Sequence, residues 1–160
     1  MDFYTNEHDS ASNGRYTIDA LRARAYAAIT SLSLSSDEDS ACRAVIDTLY
    51  SENDYATRVA SLNIMYSAWQ YEWANVDHYG NNGSHDYVLG GLISIAIYSN
   101  SFNNSLLGGH GQPPVKASDI ADVAGWVVGF AASGGSLQNR LDGANNLATV
   151  CSAIAGFFFD

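Results

Sequence analysis

The sequence predicts an all-α single domain of five or six helices, and three observations lead there. Apolar residues recur at intervals of three and four through the first half of the chain. One stretch, Tyr55 to Val76, keeps that interval over three heptads. The last third carries small residues at every fourth position in two consecutive segments, the pattern of helices packed at close range. With 160 residues and 47% apolar content, the chain has the size and composition of one globular domain.

Residues 1–15 are polar and read as a flexible arm. Thr17 can cap the first helix, in which Ile18, Leu21, Ala25, Ile29 and Leu32 share a face. The serine-rich stretch Ser31 to Ser36 ends it. Ser36 is then expected to cap a second helix, with Asp37, Glu38 and Asp39 in the first turn, where the macrodipole favours acids. Its buried face is predicted as Cys42, Val45, Ile46 and Leu49. Asn53 or Asp54 can cap the third helix, and Gly80 follows its end. Its seam is Tyr55, Val59, Leu62, Tyr66, Trp69, Trp73 and Val76. So aromatic a seam calls for a broad groove, which places this helix at the centre of the bundle with the C-terminal hairpin against it.

Residues 77–86 contain every turn signal and read as a loop. Tyr87 to Tyr98 is an apolar run read as helix, although Ile93, Ile95 and Ile97 would alternate equally well on a strand. Residues 99–117 read as a second loop, long enough to carry function or a further helical turn around Leu106. The hairpin spans 118–159. Ser118 is its expected cap, Asp119 and Asp122 lie in its first turn, Gly134-Gly135 breaks it, and Ser136 caps the last helix. Ala121, Gly125, Gly129 and Ser133 form one small-residue ridge; Ala144, Ala148, Ser152 and Gly156 form the other. Cys42 and Cys151 both fall on apolar stripes and read as buried free thiols, with a single long-loop disulfide as the alternative.

Seventeen acids against seven bases give a net charge of -10, which excludes a nucleic-acid surface, since counterion release needs clustered Lys and Arg. The partner expected from charge is another, basic protein or a further copy of the chain. Asp37, Glu38, Asp39, Glu52 and Asp54 make a candidate contact face. Phe157, Phe158 and Phe159 make another, because three consecutive aromatics cannot share one helix stripe. A non-enzymatic binding or self-assembling protein, like an immunity or inhibitor partner or an assembly subunit, is therefore the leading expectation.

The alternative is an enzyme built on the histidine loops. His78, His85 and Asp86 could act in acid–base chemistry, and Asp77, His78, His85, Asp86 and His110 could hold a single divalent metal. No phosphate loop, nucleophile elbow or dinucleotide fingerprint is present, so no other cofactor is implied. A membrane-active hairpin over 118–159 is a third possibility, weakened by an apolar stretch, Val123 to Ala132, of only ten residues. The acidic start does not resemble a cleaved leader and no segment is long enough to span a bilayer. A cytoplasmic location, or export without a conventional leader, is expected.

Overall fold

The computed structural model describes residues 18–50, 54–75, 83–106 and 117–159, which form six helices. They are α1 (Ile18–Ser31), α2 (Ser36–Tyr50), α3 (Tyr55–Asn75), α4 (Gly83–Leu106), α5 (Ala117–Ala132) and α6 (Leu137–Phe159). The all-α bundle expected from the sequence is therefore what forms. The arm at 1–15 and the caps Thr17 and Asn53 lie outside the described residues, as do Val76 and Gly80.

Local chemistry sets the helix ends. Ser33 closes α1 in the left-handed region, at φ 54°, with its N–H donated to the Thr30 carbonyl at 3.3 Å. The cap of α2 is Ser35, one residue before the expected Ser36. The Ser35 hydroxyl accepts from the Glu38 N–H at 3.3 Å, and the Glu38 carboxylate accepts from the Ser35 N–H at 3.0 Å, a reciprocal capping box. Asp54 caps α3, accepting from the Thr57 N–H at 3.0 Å. Ser136 caps α6 as expected, accepting from the Asn139 N–H at 3.3 Å. Gly135 precedes it at φ 90°, a conformation that L side chains rarely adopt.

Helix α4 is longer than the sequence predicts. Residues 83–86, read as loop, form its first turn, and residues 99–106, also read as loop, continue it to Leu106. Helix α5 begins at Ala117, so Ser118 lies inside it and is not its cap. The strand alternative for 87–98 falls with this. Gly, Ser and Asn are weak helix formers, but here tertiary packing uses them. A Cβ on Gly90 would collide with the Trp69 indole from α3, and one on Gly91 with the Trp126 indole from α5. The absence of two side chains lets two large rings lie against the α4 backbone.

Contacts between α1 and α2, α3 and α4, α4 and α5, and α5 and α6 all run antiparallel, as in an up-and-down bundle. The helix with the most buried neighbours is α5. It packs against α1, α2, α4 and α6 and buries Ile120, Val123, Trp126, Val127 and Phe130. The aromatic helix α3 is not central. It lies on α4 and, more lightly, on α2, so Leu62 is buried while Tyr66 and Trp69 are half-buried. The hairpin accordingly packs on α1, α2 and α4 and not along α3. Its close approach is as expected: a Cβ on Gly129 would lie 2.5 Å from the Gly143 carbonyl oxygen, and one on Gly125 would lie 2.9 Å from Cys151 Cβ. On α6 the ridge runs through Gly143, Ala144, Ala148 and Cys151; the side chains of Ser152 and beyond are outside the described part. Cys42 and Cys151 are both buried thiols, and no disulfide joins them.

Candidate interaction surface

Several expected site residues cannot be placed. Glu52, Asp77, His78 and His110 lie outside the described residues. His85 and Asp86 sit in the first turn of α4 instead of a loop, and Phe157, Phe158 and Phe159 in the last turn of α6, all with side chains outside the described set. Among the described residues no group of three His, Cys, Asp or Glu side chains could hold a metal. Among them, too, no helix is long and apolar enough to cross a membrane.

The acids expected to form a contact face are largely engaged in starting helices. Glu38 completes the capping box, and its carboxylate also accepts from the Ser35 hydroxyl at 2.8 Å. Asp39 accepts two bonds from Arg43, at 2.5 and 3.1 Å, and these hold its carboxyl below the usual range. The Thr57 N–H and hydroxyl do the same for Asp54. Asp37 remains exposed in the first turn of α2. Along the α1–α2 seam Arg22 donates to Asp47 at 2.5 Å, and the Tyr26 hydroxyl donates to the same oxygen. The Arg22 guanidinium lies 4.6 Å from the Tyr50 ring centroid, and that of Arg43 lies 4.6 Å from the Tyr26 ring. Two of the three arginines of this hairpin, Arg22 and Arg43, are thus paired with carboxylates of its own helices.

Helices α3 and α4 are different. Arg58 and Glu72 are the only charges in α3, and residues 87–106 of α4 have none. Arg58 points inward and is only 3% exposed. Its Nε donates to the Asn100 side-chain oxygen at 3.4 Å, and the charges of Asp119 and Asp54 partly offset the burial that lowers its pKa. Beside it Ser99 lies 3.1 Å from Asp119, which is also 3% exposed, and within hydrogen-bond reach of Asp122. The Asn100 amide nitrogen is buried with no hydrogen-bond partner. Sequence reasoning read Asp119 and Asp122 as helix-dipole acids and passed over Arg58. The signal was its spacing, since it stands three residues after Tyr55 and four before Leu62, on the seam itself.

With Arg58 turned inward, the outer face of α3 is left almost uncharged. Ala60, Ile64, Ala68 and Tyr71 follow one another at intervals of four, four and three and are all exposed. Ile64 is 70% and Tyr71 74% exposed. Asn63, Ser67, Gln70 and Glu72 are exposed around this strip, so it is a narrow apolar row on a mixed surface. The fold and this strip together define an up-and-down helical bundle with a narrow apolar row on an outer helix. No family model, no curated protein and no solved structure matches the chain.

Proposed function

We propose that the protein is a non-enzymatic assembly subunit in which the α3 strip pairs with the same strip of a second copy. The observation that supports this reading is the strip itself, Ala60, Ile64, Ala68 and Tyr71, apolar and exposed on a helix whose other face already packs on the bundle. A two-fold, antiparallel pairing sets Ile64 of one copy near Ala68 of the other, and Ala60 near Tyr71, so each large side chain meets a small one. The scarcity of charge along the strip, where Glu72 alone is charged, also favours a second copy over a basic partner. The acids that would attract a basic protein are mostly engaged in caps and ion pairs on α1–α2 and at the start of α3. The residues of the enzyme and metal readings, Asp77, His78, His85, Asp86 and His110, have side chains outside the described set and do not enter this reading.

Sedimentation velocity across micromolar concentrations, at low and high salt, tests the proposal. A concentration-dependent dimer is expected that tightens with salt, because screening weakens the repulsion between two chains of charge -10. Ile64→Glu is expected to give a monomer with an unchanged helical circular dichroism spectrum. A monomer at every concentration, a dimer indifferent to Ile64→Glu, or binding of a basic protein through α2 in place of self-association would each overturn it.

A further inference from the structure

Where α3, α4 and α5 meet, a polar cluster interrupts the core. Arg58, Ser99, Asn100 and Asp119 are each at most 3% exposed, and the half-buried Asp122 stands one turn beyond Asp119 on α5. A further turn into the bundle on the same three helices come Leu62, Ala96 and Val123, all at most 1% exposed, so the dry core closes the cluster on that side.

The orientation of the Asn100 amide is set by Arg58. Its Oδ1 accepts from Arg58 Nε at 3.4 Å, and a flipped amide would turn one donor against another. That leaves Nδ2, with two hydrogens to give, buried without a hydrogen-bond partner among the described residues. Buried donors of folded proteins are nearly all satisfied, by protein or by ordered water. On α5 the imbalance is the reverse. Asp119 and Asp122 both reach the Ser99 hydroxyl, which has a single hydrogen to give, whereas two carboxylates offer about eight lone-pair sites. Ser99 and Asn100 are consecutive on α4, so an acceptor-rich group and an unsatisfied donor flank the same step of its backbone.

Charge selects what can join them. An anion would face Asp119 and Asp122, and a cation would face the Arg58 guanidinium and an N–H group that can only donate. A water molecule has no net charge, accepts from an N–H and gives two hydrogens of its own. We infer that an internal water is bound in this cluster, accepting from Asn100 Nδ2 and donating to a carboxylate of α5. It ties α4 to α5 beside Arg58 and uses no residue of the α3 strip.

Nuclear and rotating-frame Overhauser spectra of the full chain, recorded at the water frequency, test it. The Asn100 side-chain amide protons are expected to show cross-peaks to water with the sign of a molecule held for longer than the protein takes to tumble. Ser99→Ala is expected to keep them, because it removes a hydroxyl that could relay the signal and leaves both partners of the water in place. Ile64→Glu is expected to keep them too, which separates this site from assembly. Asn100→Leu is expected to lose one slowly exchanging water in oxygen-17 relaxation dispersion; should that variant not fold, the spectra of the unaltered chain decide. Crystals soaked in bromide are expected to show a solvent peak beside Nδ2 without anomalous signal. The inference fails if the water cross-peaks are absent, if Ser99→Ala abolishes them, if folded Asn100→Leu loses no water, or if a bromide or a protein acceptor occupies the place beside Nδ2.

Discussion

Arg58 brings a full charge into a site that excludes almost all water, and the bundle tolerates it because Asp119 is buried nearby. Arg58→Met is therefore expected to destabilise the protein by about 3–5 kcal/mol, since it leaves Asp119 buried without its compensating cation. Arg58→Met combined with Asp119→Asn is expected to recover much of that loss, and urea unfolding of the three variants measures the coupling. Cys42 offers the opposite case, a group kept neutral. Burial, aided by Glu38 and Asp39, pushes its thiol up to about 12. Neither state ionises it well below the ordinary thiol value of about 8.5. As pH rises from there towards about 12 the unfolded chain releases the proton first, so this group's stabilising contribution is lost with rising pH. Both thiols are expected to resist a disulfide reagent at pH 8 in the native protein and to react fully in denaturant, which a spectrophotometric thiol assay reads directly.

At the scale of the element, α4 shows where local propensity gives way to packing. An alanine at Gly91 would gain about 1 kcal/mol of helix propensity. Its Cβ would meet the Trp126 ring, which is buried and has no room to move, so overpacking decides the sign. Gly91→Ala is expected to destabilise by about 1–3 kcal/mol in urea unfolding. Gly134→Ala, at an exposed position with nothing within 4 Å, is expected to be neutral or slightly stabilising in the same measurement. The starts of α3 and α6 were legible because caps are local chemistry: Asp54 and Ser136 can be read off the chain, while Ser35 was missed by one residue and α5 begins before the expected Ser118. The C-terminal end of α4 was not legible, because Ser99 and Asn100 favour helix only once α5 and α3 lie against them.

For the whole molecule, periodicity shows which faces are apolar but not which neighbours cover them. The seam from Tyr55 to Trp69 was legible, while the position of α3 at the edge of the bundle was not. The outward strip was hidden because Ile64 and Tyr71 read as scattered apolar residues until Arg58 is seen to point inward. The acidic face was visible as composition, yet the occupation of Glu38, Asp39 and Asp54 in helix starts emerges only with hydrogen-bond geometry. The result is a segregated molecule, with charge dense on α1–α2 and sparse on α3–α4. Its neighbouring glycines carry a further implication for descent. The Trp69 ring fills the space that a side chain at 90 would take and the Trp126 ring that at 91, so these four positions form two separate packing couples. A lineage that acquires a side chain at 90 must shrink the ring at 69 and is free to keep the ring at 126, and the converse holds at 91. Adjacent positions in the chain would thus drift separately, each tied to a partner on a different helix.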